Sequence, residues 1–387
     1  MTRDVVITGM GVVLPKTRSL DALWHHVGTP GPHVERLSSR IAGSRIDESA
    51  IAEALPPRLS RKLDAFTRYA LIATQSAIED AALALDGIDR ERCGAFVGNC
   101  FGGWRFTERE LRHLHGIGPR AVSPFQATSW FPAAPQGQIT IVHGLKGFSK
   151  TYMADRMSSL VSVASAASLI RRGQLDVAIA GGAESTNTDF VRAALERIAA
   201  ANGEPDPAES GFQVSEGAVF LVLEDAGHAR ARGARVYAGL RSFAMRNAPS
   251  RPDQYAVDPR VLEGTMRRVL GNLKADIVLP DASGLARVDA CEQAALDTVC
   301  PGVPALRPKG AYGHAFGAEG ALDVVFASLM LHRQQRLPTV PSGDDGADLS
   351  SARSGTARDA RQAIERILIN ACAMGGGAGS LLLTKES

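Results

Sequence analysis

The sequence is short of the features that mark metal-binding, secreted and membrane-spanning proteins. Its five cysteines include no C-x-x-C pair, so their spacing indicates neither a zinc site nor a disulfide framework. No charge-free apolar run reaches the length of a membrane helix, and the apolar residues 5–14 are interrupted by glycines and lack a signal-peptide cleavage pattern. The formal net charge of only +2 over 387 residues argues against nucleic-acid binding. We therefore expect a cytoplasmic protein with no metal, cofactor, membrane or nucleic acid bound.

A dinucleotide-binding fingerprint is also missing. Gly9-Met10-Gly11 follows a predicted buried strand that begins near Asp4, but the pattern is not G-x-G-x-x-G. On its own, such a pair of glycines indicates a tight turn after the strand.

What the sequence does contain is a long stretch, residues 147–185, with the pattern of strand, turn, buried helix and strand. Residues 149–153 predict the first strand. Residues 160–170 are nearly all apolar or small, so this helix should have no water-facing side and should lie centrally, with Ser158 and Ser159 as candidate caps. Residues 176–180 predict a strand of the parallel type.

The turn before this helix is where a catalytic nucleophile would be expected, because several enzymes hold their nucleophile at a strand-to-helix turn. Here the turn reads Ala154-Asp155-Arg156-Met157, with no cysteine, serine or threonine. Arginine stays protonated in proteins and cannot form a thioester. The position is therefore predicted to be incapable of covalent catalysis.

The stretch resembles the β-ketoacyl synthases of the thiolase superfamily. The resemblance is carried by the frame G-x-S-x(4)-A-x(3)-S with R-x-G-x-x-D-x-A-x-A-G-G-x-E, and by G-F-x(3)-E-G-A-x-x-L-V-L-E-D further along. It covers nearly the whole chain and implies an α/β architecture, the duplicated thiolase fold with five layers, α-β-α-β-α. The implied halves are residues 1–235 and 236–387, and residues 342–358 are interpreted as a flexible surface insertion.

The same resemblance implies which reacting residues of the family are retained in this chain and which are replaced. Active members of the family use a cysteine and two histidines, and Arg156 stands where the cysteine is expected. Ser283, in Ala-Ser-Gly-Leu, stands where the first histidine is expected, whereas Lys309 and His314 are retained in K-G-A-Y-G-H-A-F-G. Met374 matches a gating phenylalanine. The implied site thus has two of its three reacting groups replaced.

The segment at residues 123–143 indicates which members of this family the chain resembles most. Its pattern W-F-x-x-A-x-x-G-Q-I is similar to the chain-length-factor subunits of type II polyketide synthases, in which this segment crosses the dimer interface and borders the acyl tunnel. Residues 138–142 are predicted to form a strand. The candidate tunnel and interface residues are Phe125, Gln126, Trp130 and Phe131.

The resemblance implies two partners. One is an active ketosynthase α subunit, with which the chain would form a heterodimer, and the other is an acyl carrier protein with its phosphopantetheine-bound acyl chain. A basic cluster, Arg58, Arg61 and Lys62, precedes a long amphipathic helix predicted to end near Leu85. This cluster either docks the acidic carrier protein through charge or forms a solvated helix face.

Three functions follow from these observations. The first is a non-catalytic subunit, a chain-length factor that shapes the tunnel of an active partner. The second is a decarboxylase of malonyl carrier protein, as in loading ketosynthases, although Ser283 and the long cation Arg156 count against it. The third is a self-contained synthase that uses Cys372, a residue expected on a strand beside Met374 and typical of a buried cysteine.

Overall fold

The computed structural model describes residues 3–29, 34–38, 41–204, 212–337 and 363–386. Across these residues, no helix is both long and apolar enough to cross a membrane. In the same residues, no group of three histidine, cysteine or acidic side chains is arranged to hold a metal. The predicted insertion at residues 342–358 lies outside the described residues.

Twelve α-helices and twelve β-strands are described. The helices are α1 (Leu20–Val27), α2 (Pro57–Ser60), α3 (Ala65–Asp80), α4 (Trp104–Gly116), α5 (Gln126–Ser129), α6 (Ala134–His143), α7 (Ser158–Arg171), α8 (Asp189–Ala201), α9 (Ala226–Ala231), α10 (Pro259–Leu270), α11 (Ala286–Val299) and α12 (Glu319–Arg333). The strands are β1 (Val5–Val13), β2 (Glu35–Arg36), β3 (Ala42–Gly43), β4 (Cys93–Gly98), β5 (Lys150–Tyr152), β6 (Val177–Glu184), β7 (Gln213–Val214), β8 (Gly217–Asp225), β9 (Ala238–Asn247), β10 (Ile277–Leu279), β11 (Arg366–Ala373) and β12 (Gly377–Thr384).

Nine strands form one mixed sheet in the order β10-β11-β12-β9-β1-β8-β6-β4-β5. The two parts of this sheet are joined where β1 pairs with β9 over only two residues of each strand. Helix α3 packs on β1 and β8, whereas α7 packs on β4 and β6 and contacts α12, which packs on β11. Helices α10 and α11 cover the outer side of the β9–β12 part. The predicted α/β fold with five layers is confirmed.

Helix α7 is central because almost every side chain along it is buried, as predicted. Its close contacts depend on glycine: a Cβ on Gly98 would lie 2.3 Å from the backbone at Ser158 and Ser159. The predicted serine cap is wrong, because the capping residue is Met157 and makes no side-chain cap bond. Instead, the Ser158 hydroxyl accepts a bond from the Ala154 N–H and donates to the preceding turn.

Strand β1 corrects the predicted glycine turn, since it runs through Gly9 and Gly11. A Cβ at these positions would lie 2.3 Å from the carbonyl oxygen of Ala77 and 2.0 Å from that of Ala73, respectively. The glycines therefore serve the close approach of α3 to the strand and not a change of chain direction.

Two helix predictions also need correction. Residues 138–142 belong to helix α6 and not to a strand, because Pro135 favours a helix start and Gly144 ends the helix in the left-handed conformation at φ 64°. The basic cluster lies on and just after the short helix α2, and the amphipathic helix itself, α3, starts only at Ala65, where the Asp64 carboxylate caps it.

Candidate functional site at Arg156

The turn that carries Arg156 is held by its neighbour Asp155, which adopts the unusual φ of 50°. One carboxylate oxygen of Asp155 accepts hydrogen bonds from the Tyr255 hydroxyl at 2.8 Å and from the Met374 N–H at 2.9 Å. The chain around residue 156 is thus tied to two segments that lie far away in sequence. This anchoring aims the Arg156 side chain into the protein interior.

Arg156 is completely buried, with 0% exposure. Its Nη1 lies 3.4 Å from Asp281 Oδ2 and 3.3 Å from the Ser283 carbonyl oxygen. The guanidinium carbon lies 4.8, 5.2 and 5.6 Å from the ring centres of Tyr255, Phe316 and Phe212, distances at which a cation is attracted to an aromatic ring. Although burial disfavours the charge, ionisable neighbours led by Tyr255 and Asp281 raise the pKa of Arg156, so the residue stays cationic.

Asp281 is the carboxylate at the centre of the site. Its Oδ1 accepts a hydrogen bond from the Cys372 N–H at 3.2 Å and lies 3.6 Å from His314 Nε2. Burial alone would raise the pKa of Asp281, but His314, Arg156 and Lys309 together hold that pKa well below its usual range. The carboxylate is therefore ionised in the folded protein.

His314 is buried, and its Nδ1 accepts a hydrogen bond from the Phe316 N–H at 3.0 Å. Burial and the positive charge of Arg156 lower the pKa of the His314 imidazole, so the ring is neutral at pH 7. Because Nδ1 is an acceptor, the single proton of the neutral ring is on Nε2. His314 thus presents one N–H donor toward Asp281.

Ser283 has no free hydroxyl. Its Oγ donates to Asp289 Oδ1 at 2.6 Å and accepts a bond from the Leu285 N–H at 3.1 Å. A serine at this position could in principle donate one hydrogen bond to a substrate, but here that donor stabilises the loop before α11.

Lys309 holds the backbone next to the central carboxylate of the site. Its Nζ donates to Asp323 Oδ2 and to the Pro280 carbonyl oxygen, both at 2.8 Å. Pro280 directly precedes Asp281, so this buried lysine fixes the end of strand β10 and with it the central carboxylate.

Glu184, at the end of β6, is a site residue that sequence reasoning missed. Its buried carboxylate accepts hydrogen bonds from the backbone N–H groups of Cys100, Phe101 and Gly317. Burial raises the pKa of Glu184 to about 7, against these stabilising bonds. In the sequence, the A-G-G-x-E pattern was the feature that could have identified this glutamate. The carboxylate of Glu184 holds two loops at the edge of the site.

Cys372 lies beside the site but has the wrong environment for a nucleophile. Burial raises the pKa of its thiol far above the usual value, and the nearby carboxylate of Asp281 adds to that effect. Because only the thiolate is a good nucleophile, this cysteine is unreactive as placed.

The remaining predicted residues lie at the surface. Phe125, Trp130 and Phe131 are 39%, 49% and 53% exposed, and Gln126 donates through its Nε2 to Thr107 Oγ1 at 3.0 Å. Arg58, Arg61 and Lys62 are exposed, and the Lys62 ammonium lies 5.2 Å from the centre of the Phe125 ring. Met374 is half-buried, donates its N–H to Asp155 and packs its side chain against the apolar cluster that contains Tyr255 and Phe316. The structure thus places the basic cluster next to the aromatic segment.

The aromatic segment is also tied to the loop that borders Arg156. The Asn99 side chain donates to the Pro132 carbonyl oxygen at 2.9 Å, and the Gly103 N–H donates to the Trp130 carbonyl oxygen at 3.1 Å. Between these two ties lie Cys100 and Phe101, which Glu184 holds.

Comparison with known proteins identifies related chains. The sequence profile of the N-terminal domain of β-ketoacyl synthases matches residues 2–229, and that of the C-terminal domain matches residues 237–342. The ketoacyl synthase β subunit of the tetracenomycin polyketide synthase from Streptomyces glaucescens is 31% identical over 410 residues, which cover 99% of this chain and 98% of that protein. The 3-oxoacyl-(acyl-carrier-protein) synthase 2 of Vibrio harveyi is 28% identical over 413 residues, covering 99% of each.

Among solved structures, a type II polyketide synthase acyl-carrier protein in complex with its ketosynthase bound to a hexaketide is similar throughout. Its TM-score is 0.79 at 26% sequence identity, and the alignment covers 100% of both chains.

Replacing Arg156 by methionine should destabilise the fold by about 3–5 kcal/mol, because it leaves the buried Asp281 carboxylate short of a cation. The double variant Arg156→Met/Asp281→Asn should recover part of that loss, since the uncompensated charge is gone. Chemical denaturation of the wild type, both single variants and the double variant measures the coupling. Equal stability of Arg156→Met and wild type at pH 7 would contradict an energetic role for this pair.

The effect of Arg156→Met should also depend on pH with a defined sign. The pKa of Asp281 is lower in the folded than in the unfolded protein, so its ion pair stabilises the fold fully above about pH 4. That stabilisation is lost as the pH falls further, since the unfolded chain then takes up the proton first. The difference between variant and wild type should therefore shrink in acid.

Proposed function

The chain belongs to the β-ketoacyl synthase family, and we propose that it acts there as a non-catalytic subunit that pairs with an active ketosynthase and shapes the tunnel for the growing polyketide chain. The observation that carries the proposal is the wholly buried Arg156 at the position expected for the nucleophile. At these positions of the described site, the Arg156 guanidinium cannot form a thioester, the Ser283 hydroxyl already donates to Asp289, and burial keeps Cys372 in its thiol form.

A surface suited to a partner supports this function. In the described part of the chain β5 is the last strand of the main sheet and pairs only with β4. The side chains of Phe148, just before this strand, and Met153, just after it, are 58% and 56% exposed, and that of Ile141, near the end of α6, is 72% exposed. An exposed strand edge flanked by large apolar side chains is typical of an interface that a second protein covers.

The aromatic segment at residues 125–131 supports a role in chain length. Trp130 and Phe131 are exposed in the single chain, where they would be unfavourable unless covered. They join helix α5 to the start of α6, and α6 ends at the partner surface just described. Side chains placed there can line a tunnel that two subunits share.

The basic cluster supports an acyl carrier protein as the second partner. Arg58, Arg61 and Lys62 are exposed, and Lys62 contacts the ring of Phe125. A carrier protein docked on these cations would deliver its chain beside the aromatic segment. The charge would mainly accelerate the encounter and make it sensitive to salt.

The alternative, decarboxylation of a malonyl carrier protein, would keep the chain an enzyme. The similarity to 3-oxoacyl-(acyl-carrier-protein) synthase 2 is the observation that favours an enzyme. Against decarboxylation, the hydroxyl of Ser283 already donates to Asp289, so Ser283 offers no oxyanion donor in place of the first histidine.

The isolated chain should show no condensing activity with acyl and malonyl carrier proteins, and Arg156→Cys should not restore it. A thiol introduced at position 156 would still lack a second hydrogen-bond donor to the substrate carbonyl, because the Ser283 hydroxyl remains bonded to Asp289. Release of carbon dioxide and mass spectrometry of the carrier-bound acyl groups measure both reactions. Condensation by the pure chain that persists in Cys372→Ala would refute the partner role.

Assembly should depend on the surface around β5. Phe148→Asp places a charge on a 58% exposed apolar side chain, so it should weaken the complex with the ketosynthase at least tenfold while leaving the isolated chain folded. Leu273→Asp, at a 39% exposed position after α10 on the outer layer, is the matched control and should bind normally. Sedimentation and titration of the two subunits measure the complex. Unchanged affinity in both variants would place the partner elsewhere.

The length of the polyketide products tests the proposed function directly. Phe125→Ala and Phe131→Ala should lengthen the products of the reconstituted pair, because each removes a ring that limits how far the acyl chain extends. Truncating a fully buried phenylalanine to alanine lowers the free energy of unfolding by about 3–5 kcal/mol. Because these two rings are partly exposed, the loss should be smaller and the chain should stay folded. The measurement is mass spectrometry of carrier-bound intermediates.

Leu273→Ala is the matched control for this test and should leave the product lengths unchanged. If Phe125→Ala, Phe131→Ala and Trp130→Ala all give the wild-type distribution in an intact complex, this segment does not set the limit.

A further inference from the structure

Two carboxyl groups at the start of helix α12 share a single buried lysine. Glu319 and Asp323 are four residues apart, so both side chains lie on the same face of the helix. The Nζ of Lys309 lies 2.8 Å from Asp323 Oδ2 and 3.7 Å from Glu319 Oε1. Lys309, Glu319 and Asp323 are only 6%, 1% and 1% exposed. If both carboxyl groups were ionised, one negative charge would therefore be buried without a cation, which is unfavourable.

The groups that surround this pair supply no second positive charge. Asp281 also neighbours Lys309, but Asp281 is an acid and has its own cation, Arg156, at 3.4 Å. The Nδ1 of His314 lies 3.8 Å from Glu319 Oε2, and the imidazole is neutral at pH 7. Within the described residues, Lys309 is thus the only charged partner that lies within 4 Å of either carboxyl group.

One oxygen of each carboxyl group has no hydrogen-bond partner among the described residues. These two atoms are Glu319 Oε1 and Asp323 Oδ1. The other oxygen of each group is engaged, because Glu319 Oε2 accepts from the Ala315 N–H and Asp323 Oδ2 accepts from Lys309. Buried polar atoms without a partner are rare and unfavourable. A single hydrogen placed between the two free oxygens would satisfy both of them.

We propose that Glu319 and Asp323 bind one proton between them at neutral pH, held in a hydrogen bond from Asp323 Oδ1 to Glu319 Oε1. The proton comes from solvent, and no other bond forms or breaks. The pair then carries one negative charge, which Lys309 balances. Lys309 also stays in place to donate to the Pro280 carbonyl oxygen, the bond that fixes the chain before Asp281. This inference concerns the interior and does not depend on the proposed partner role.

The pKa of Asp323 agrees with this position of the proton. Burial raises that pKa to about 8, although Lys309 opposes the rise, and the neighbouring Glu319 adds to it. In an unfolded chain an aspartate has its usual pKa of about 4. Between these two pH values the folded protein therefore binds one proton more than the unfolded chain. The contribution of the pair to stability should fall as the pH rises through this range and should be constant below and above it.

The first test is chemical denaturation of the full chain and its variant Asp323→Asn between pH 5 and pH 7. The asparagine amide can donate to Glu319 and accept from Lys309, as the protonated carboxyl group does, but it binds no proton. Over these two pH units the unfolding equilibrium constant of the wild type should rise about 100-fold more than that of the variant, or tenfold per pH unit. A wild-type to variant ratio that does not change with pH would show that Asp323 is ionised and would refute the proposal.

Two further variants separate a shared proton from a general effect of removing a carboxylate. Glu319→Gln can donate an amide hydrogen to Asp323, so Asp323 should ionise and the pH dependence should match that of Asp323→Asn. Glu365→Gln is the matched control, because Glu365 forms a Lys–Glu pair with Lys385 at 3.8 Å at the surface. That variant should retain the pH dependence of the wild type.

Infrared spectroscopy of the same folded chains at pH 7 detects the proton without reference to stability. The wild type and Glu365→Gln should show a C=O stretching band of a protonated carboxyl group that Asp323→Asn and Glu319→Gln both lack. Glu184 and Glu292, whose pKa values burial raises to about 7, contribute equally to all four spectra and cancel in the differences. A band that persists in Glu319→Gln would place the proton on Asp323 alone. If neither variant loses a band, both acids are ionised. Either result would overturn the shared site.

Discussion

The buried positive charge of Arg156 is the constraint on which the arrangement of the site depends. Arg156 places a guanidinium where water cannot reach it, so its charge has to be balanced by groups that the fold brings to it. The balance comes from Asp281, from aromatic faces and from a backbone carbonyl, all distant in sequence. Arg156 is thereby a structural tie between segments of the chain.

Asp281 is the point where this tie meets the rest of the site. Arg156, His314 and the N–H of Cys372 approach its two oxygens, and Lys309 fixes the backbone directly before it. Because these groups share one carboxylate, their energies are not additive, and a change at one of them alters the protonation of the others. The site therefore responds as a unit.

The described surface carries apolar and cationic regions of the kind that bind other molecules. Exposed apolar side chains lie beside the last strand of the sheet, and the aromatic segment begins close to the exposed Lys62 of the basic cluster. A carbon chain, a carrier and a second subunit need these kinds of surface in close proximity. The interior and the surface are thus both consistent with the proposed function.

The sequence by itself determined the fold class, the central helix α7 and the presence of arginine in place of cysteine, serine or threonine at position 156, because these depend on residue identity, apolar periodicity and a recognisable frame. It misassigned helix α6, since β-branched residues favour strands locally whereas the proline and glycine at its ends favour a helix in context. It did not reveal the role of Gly9 and Gly11, which depends on how closely α3 approaches.

Only the tertiary structure decided where the Arg156 charge is placed and that the Ser283 hydroxyl is already used. Arg156 and Asp281 are separated by 125 positions along the chain, and no local pattern records that they meet. Contacts of this kind arise from packing of the layers, so their hydrogen bonds and pKa shifts exist only in the folded chain.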